Sequence, residues 1–347
     1  MNFIEDNFFN PNKTFIVAEI GINHNGDLNL AKEMIIAAAE SGADSVKFQN
    51  YKTEDFVTDP NLILEYKLND KVVKKSQYEI FKKCELDRTK LSQLKELCDS
   101  LGLIFHSSPT SVSGIKDLQS IGCKIIKNGS DYLTNLRLIR AMGETGLLTV
   151  ISTGMSELIE IEQAVKTFQE TGNNKLILLH CTSSYPVKYD EVNLNRIKTL
   201  REKFNLEVGF SDHTKGDLAS LGAVMLDAVW IEKHFTLDQN LPGPDHWFSI
   251  NPEELKNLVN SIREVEKMKG NGKIIPTKSE LKNRKEFRLS CVASRDLLSG
   301  VTLTQNDIDF QRPGDGFPPS LENYLIGKKL NTSIKKGQKY EEKHIKK

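Results

Sequence analysis

Apolar positions along the chain alternate between two rhythms. Short continuous runs come first: "FIVAEIG" (15–21), "SVKFQNY" (45–51), "LIFHSSP" (103–109), "KIIKNGSDY" (124–132), "LLTVISTG" (147–154), "KLILLHCTS" (175–183), "EVGFSDHT" (207–214) and "VWIEKHFTL" (229–237). Each gives way to a longer segment with apolar residues three and four apart, such as "NLAKEMIIAAAESG" or "ELIEIEQAVKTFQETG". The continuous runs predict strands of a parallel sheet covered on its faces, and the second spacing predicts amphipathic helices. After 45–51 a longer polar excursion precedes the helix "KLSQLKELCDSLG". Repeated in this way over roughly 250 residues, the units predict an α/β fold, a (β/α)₈ TIM barrel in preference to an open doubly wound sheet. No G-x-G-x-x-G opens a helix after the first strand, and no Walker A lysine motif occurs.

Beyond Gly270 the rhythm stops. "NGKIIPTKSELKNRKEF" is polar and charged, a linker with a short helix over 271–287. From 288 to 347 the chain reads as brief strands and turns, with Ser299-Gly300 and Lys336-Gly337 as turn signals. The expectation is a barrel over 1–270 and a small β-rich domain at the end.

Charge and cysteine content narrow the field. Lys+Arg and Asp+Glu are both 47, a net charge of zero. That balance argues against a nucleic-acid or anionic-membrane binder and leaves room for a small cationic pocket. "MNFIEDNFFNPNKTF" lacks the pattern of a secretory leader, and no uncharged apolar run approaches membrane-spanning length. The five cysteines are far apart with no C-x-x-C, as in a reduced, cytoplasmic protein.

In such a barrel the C-terminal strand ends face the active-site mouth. Those positions hold Glu19, Lys47 with Gln49, Ser108, Lys127 with Ser130, Ser152, Ser183 with Tyr185, His213 and His234. Any one of them has an ordinary explanation as a cap, a turn or a hydrogen-bonded core residue. Their convergence points to a site. Two lysines with serine hydroxyls suit a phosphate or carboxylate. His213 and His234, ending the last two strands, suit Mn²⁺, Co²⁺, Zn²⁺ or Mg²⁺ at an open site. Asp212 and Glu232 either orient these rings or make structural ion pairs. Asp245, in "LPGPDHWF", follows the last strand on a loop and is left, with Glu19, to meet hydroxyl groups. An amidohydrolase reading is weak, because "EIGINHNG" carries one histidine, His24, where H-x-H is expected.

The motifs "AEIGINHNGDLNLAKEMI", "VKFQ", "STGM", "LLHCTSSYP", "GFSDHT", "EKHFTLD", "GPDH" and "RPGDGFPP" resemble the sialic acid synthase family over nearly the whole chain. The resemblance implies a (β/α)₈ barrel followed by a small antifreeze-like (SAF) domain, in a domain-swapped homodimer whose small domain covers the partner's site. It implies condensation of phosphoenolpyruvate with an N-acetylmannosamine-type sugar to a nine-carbon 2-keto acid, N-acetylneuraminate, and phosphate. Legionaminic and pseudaminic acid synthases, which use diacetamido-trideoxy hexoses, are the near alternatives. A Schiff-base aldolase and a non-catalytic sugar-binding protein are more distant ones.

By the same resemblance Lys47, Ser108, Lys127, Ser130, Ser152, Ser183 and Ser211 hold phosphoenolpyruvate. His213 and His234 hold a divalent metal, manganese by preference with magnesium or cobalt as substitutes. Gln49, Tyr185, Asp245 and Glu19 handle the sugar, Glu19 also managing a proton, and Arg312 in "RPGDG" reaches the partner subunit's site. Nucleic acid and membrane are not among the implied partners. The chain departs from the pattern at "GSDY", where the family often reads G-S-G-E or G-S-G-D. Tyr132 takes the place of the acid and Asp131 lies one position early. That change is expected to bear on the choice of acceptor.

Overall fold

The computed structural model describes residues 13–68 and 71–346. The stretch read above for a leader thus lies, over residues 1–12, outside the described residues. The strands are β1 (Phe15–Gly21), β2 (Ser45–Asn50), β3 (Ile63–Leu68), β4 (Lys71–Ser76), β5 (Ile104–Pro109) and β6 (Ile125–Asn128). They continue as β7 (Leu148–Ser152), β8 (Leu176–Cys181), β9 (Glu207–Asp212), β10 (Trp230–His234), β11 (Ser290–Ala293) and β12 (Ile308–Gln311). Eight of them close a parallel barrel in the order β1-β10-β9-β8-β7-β6-β5-β2. They are the strands that the eight apolar runs predict.

Strand periodicity explains how the barrel makes a site. Alternate residues face inward, and on β1, β6, β7 and β10 the inward set turns from apolar to polar toward the C-terminal end. Phe15 and Val17 lead to Glu19, Ile125 to Lys127, Val150 to Ser152, and Trp230 to Glu232 and His234. The apolar members pack together at the closed end of the barrel. Gly209 makes room there, since a Cβ would lie 2.5 Å from the Trp230 side chain. The other parity faces the helices: Ile16, Ala18 and Ile20 join Ala31, Met34, Ile35 and Ala38 of the helix Leu28–Glu40 in the outer core. Fully burying side chains of that size contributes roughly 1.5–3 kcal/mol each. Asp27 caps this helix, accepting from the Asn29 and Leu30 amides.

The polar excursion after β2 is not simply loop. β3 and β4 pair as an antiparallel hairpin, and a short helix, Gln77–Lys83, follows. Most hairpin positions are exposed, Tyr66 being the buried exception.

Chain contacts divide the protein into two compact units, residues 1–270 and 271–347. The second contains the helix Lys278–Phe287, with no buried side chain, and the antiparallel pair β11–β12. Its own core includes Cys291, Leu303, Leu325 and Tyr340, whose hydroxyl donates to the Asp307 carbonyl at 2.7 Å. All five cysteines are free and buried. No helix among the described residues is long and apolar enough to cross a membrane.

Candidate active site

A cavity of ≈ 830 Å³ opens at the C-terminal ends of the barrel strands. Every barrel candidate lines it: Glu19, Lys47, Gln49, Ser108 and Lys127; Ser130, Asp131, Tyr132, Ser152 and Ser183; and Tyr185, Ser211, His213, His234 and Asp245. Arg312 belongs to the second unit, where its guanidinium lies 5.2 Å from the centre of the Phe287 ring.

The floor is a chain of buried charges. Lys47 Nζ is 3.1 Å from Glu19 Oε2 and 3.3 Å from Glu232 Oε1, and Lys127 Nζ is 3.0 Å from the same Glu232 oxygen. Neither lysine reaches solvent, being 4% and 2% exposed. Ionised groups survive such burial only when paired. Burial pushes the Glu19 carboxyl up to about 7 against the opposing charge of Lys47, and the neighbouring Glu232 carboxylate adds to the rise. Burial acts on Glu232 in the same direction, but Lys127 and Lys47 outweigh it and hold the group below the usual carboxylate range. Burial lowers the Lys127 pKa, whereas Glu19 and Glu232 overcome burial at Lys47 and raise it.

Serine hydroxyls stand over this floor. Lys47 donates to Ser108 Oγ at 3.3 Å. Ser130 Oγ accepts from the Gly154 amide at 3.1 Å and donates to Cys181 Sγ at 3.6 Å. A Cβ on Gly154 would sit 2.4 Å from Ser183 Oγ and 2.7 Å from Ser130 Oγ, so only glycine leaves that cradle open. Two ammonium groups and short neutral hydroxyl donors suit a compact anion. Asp131 and Tyr132 both reach the cavity from the short 3₁₀ turn Ser130–Tyr132.

The two histidine rings lie 5.4 Å apart, with Tyr185 against His213 at 4.3 Å. His213 Nδ1 is 2.9 Å from the Thr182 carbonyl. An imidazole that donates from Nδ1 keeps its lone pair on Nε2. His234 is held neutral, its pKa driven well down by burial and then by His213. Its Nδ1 is buried without a hydrogen-bond partner and lies 3.8 Å from Asp245 Oδ2. Among the described residues no cluster of three or more His, Cys, Asp or Glu side chains could hold a metal. Burial works against the charged form of His213, but the Cys181 thiol and the Thr182 carbonyl outweigh it and raise its pKa. The pair offers two imidazole nitrogens, which fit a divalent cation that takes its remaining ligands from outside the chain.

The structure decides the question left open over Asp212 and Glu232. Asp212 accepts from Lys233 at 2.8 Å and Ser220 at 2.6 Å, a structural ion pair facing away from the rings. Glu232 belongs to the lysine floor. Its signal was its parity, two residues before His234 and inward with it. His106 follows the same rule, lying two residues before Ser108, and is fully buried against Ser45 Oγ at 2.7 Å. Leu64, Tyr66, Lys67 and Val72 of the hairpin also line the cavity, and no sequence pattern marked them.

The NeuB family model matches residues 34–274. The chain is 42% identical to the N,N'-diacetyllegionaminic acid synthase of Legionella pneumophila, over 95% of this chain and 94% of that protein. It is 34% identical to a pseudaminic acid synthase of Campylobacter jejuni, over 95% and 96% of the two chains. Among solved structures, the N-acetylneuraminic acid (sialic acid) synthetase of Leptospira borgpetersenii, in complex with citrate, is similar with a TM-score of 0.71. That chain is 36% identical, with 79% of this chain and 90% of that one covered.

Proposed function

The chain belongs to the NeuB family, and from that membership we propose that it is a nonulosonate synthase joining phosphoenolpyruvate to an N-acetylated mannose-type sugar. The observation that carries this reading is the pair of buried lysines under serine hydroxyls, facing two imidazoles across one cavity. N-acetylmannosamine and a diacetamido-trideoxy hexose are both acceptors of this type, and the names of the relatives favour the second as much as the first.

In this reading Lys47 and Lys127 hold the carboxylate and phosphate of phosphoenolpyruvate, with Ser108, Ser130, Ser152, Ser183 and Ser211 as neutral donors. Its C3 forms a bond to C1 of the open-chain sugar, water adds at C2, and C–O cleavage releases phosphate and the 2-keto acid. A divalent cation, manganese by preference, supplies Lewis acidity at the acceptor carbonyl when bound. His213 and His234 would hold it. Glu19, with its pKa near 7, takes or returns a proton at the water or the acceptor oxygen. Gln49, Asp131, Tyr132, Tyr185 and Asp245 orient the sugar hydroxyls.

The second unit is, in the same proposal, an antifreeze-like domain whose Arg312 completes the site of a partner subunit. Arg312→Ala should then cripple turnover and leave the barrel folded; a rate near wild type would reject the cross-subunit role.

The deciding assay supplies phosphoenolpyruvate with N-acetylmannosamine or diacetamido sugars, with and without Mn²⁺, and follows phosphate and 2-keto acid. No turnover with any sugar, in folded and metal-loaded protein, would sink the proposal. The lowered Lys127 pKa gives a Schiff-base aldolase some footing, and borohydride trapping of substrate on Lys127 would favour it.

A further inference from the structure

Beneath the lysine floor lies a layer of side chains that the reaction proposed above does not use. His106, on β5, is the register partner of Lys47 on β2. Its ring meets that of Trp230 edge-on across the barrel interior, with centres 5.4 Å apart. Trp230 stands two residues before Glu232 on the inward face of β10. His106 and Trp230 are fully buried, and Glu232 is closed off almost as completely.

Hydrogen-bond geometry assigns the protons of this layer. Ser45 Oγ lies 2.7 Å from the Ile104 carbonyl and 2.7 Å from His106 Nδ1. A hydroxyl has one proton and a carbonyl only accepts, so Ser45 donates to Ile104 and accepts from Nδ1. His106 is therefore the Nδ1–H tautomer, with its lone pair on Nε2. Burial lowers its pKa to about 3 and keeps the ring neutral, and Glu232 is the charged group that acts on it most strongly. His106 Nε2, Glu232 Oε2 and Trp230 Nε1 are each buried without a hydrogen-bond partner among the described residues. The first two are acceptors and the third is a donor. A water molecule is their complement, with two protons to give and a lone pair to receive.

Resting on the synthase reading above, we infer that His106 is a positioning residue for phosphoenolpyruvate, acting on Glu232 through one buried water that Trp230 also holds. Trp230 Nε1–H donates to the water, which donates in turn to His106 Nε2 and Glu232 Oε2. Glu232 Oε1 is the oxygen that both lysines share, at 3.0 Å from Lys127 and 3.3 Å from Lys47. A carboxylate whose second oxygen stays bare in low dielectric turns to bring a lysine onto it. The water satisfies that oxygen from below. Both ammonium groups then remain on Oε1 and keep their other protons for the anion above.

Calorimetric titration of the full, Mn²⁺-loaded chain with phosphoenolpyruvate tests this without requiring turnover. His106→Leu should weaken binding about tenfold, because the water loses an acceptor and Glu232 its fixed orientation. His106→Gln, whose side-chain carbonyl reaches the place of Nε2, should stay within about threefold of the wild type. Trp230→Phe keeps a ring against Phe15 but loses the N–H, and should also cost about tenfold. The double variant Trp230→Phe with His106→Leu should bind no more weakly than either single one, since both remove the same water. Thermal melts check that each variant folds. A high-resolution crystal structure of the wild type, which decides even where a variant fails to fold, should show one water within hydrogen-bond distance of all three atoms. No water there, unchanged affinity in His106→Leu, equal losses in the Leu and Gln variants, or losses that multiply in the double variant would each overturn the role of His106 and leave the synthase reading standing. Failure of the folded wild type to bind phosphoenolpyruvate would overturn both.

Discussion

The floor and the mouth of the cavity are built by opposite means. The floor is four charged side chains from four barrel strands, each inward by strand parity and each within 3.3 Å of a partner of opposite sign. Nothing there can move without leaving a charge buried and alone. The mouth is a mostly exposed hairpin and a more deeply packed aromatic cluster, both from one insertion. The comparison teaches where constraint resides. The floor couples stability to chemistry through electrostatics in low dielectric, whereas the mouth adjusts shape at almost no cost in stability.

Changes at the floor should have the largest effects. Lys127→Met removes half of the anion receptor, and kcat/KM should fall by on the order of 10³-fold. A loss under tenfold would show that the floor is scaffold only. Glu232→Leu should unfold at lower denaturant, by about 3 kcal/mol, because Lys127 loses its carboxylate partner. Equal stability would mean that Lys127 can turn to solvent after all.

The titration of the core separates the two regions further. Burial holds His106 neutral with its pKa near 3, and His24 and His180 near 4. In the unfolded chain these rings bind protons below about 6.5. The unfolded state therefore takes up protons that the folded state does not, and stability rises with pH from about 4 to about 6.5 and is lost as pH falls through that window. Each ring contributes up to about 1.4 kcal/mol per pH unit. Denaturation midpoints followed from pH 7 to pH 5 should fall steeply, and less steeply in His180→Gln. Glu19 acts in the opposite sense, since its raised pKa favours the folded state at lower pH. A flat profile would mean that the barrel core is wetter than its burial indicates. The smallest effect belongs to the mouth: Val72→Ser should change stability by no more than about 0.5 kcal/mol. A larger drop would tie the hairpin to the barrel core.

Much of this was legible in one dimension. The eight apolar runs located every barrel strand because a strand covered on both faces needs continuous apolarity. The residues at their ends located the cavity because a parallel barrel brings all its C-terminal ends to one face. The hairpin was not legible: "ILEYKL" and "KVVKKS" are short, lysine-rich and mostly exposed, so no buried face imposed a period on them.

The sequence by itself determined the barrel, its closed apolar end and the set of polar groups at its mouth, since these follow from local periodicity. Only the tertiary structure decided which of those groups touch. Lys127 and Glu232 stand 105 positions apart and share one hydrogen bond of 3.0 Å. Asp212 and Glu232 look alike on the page, yet one is a strut behind the barrel wall and the other holds both lysines. Barrel closure sets that difference, because ion pairs depend on distances in space, to which spacing along a strand gives only the parity.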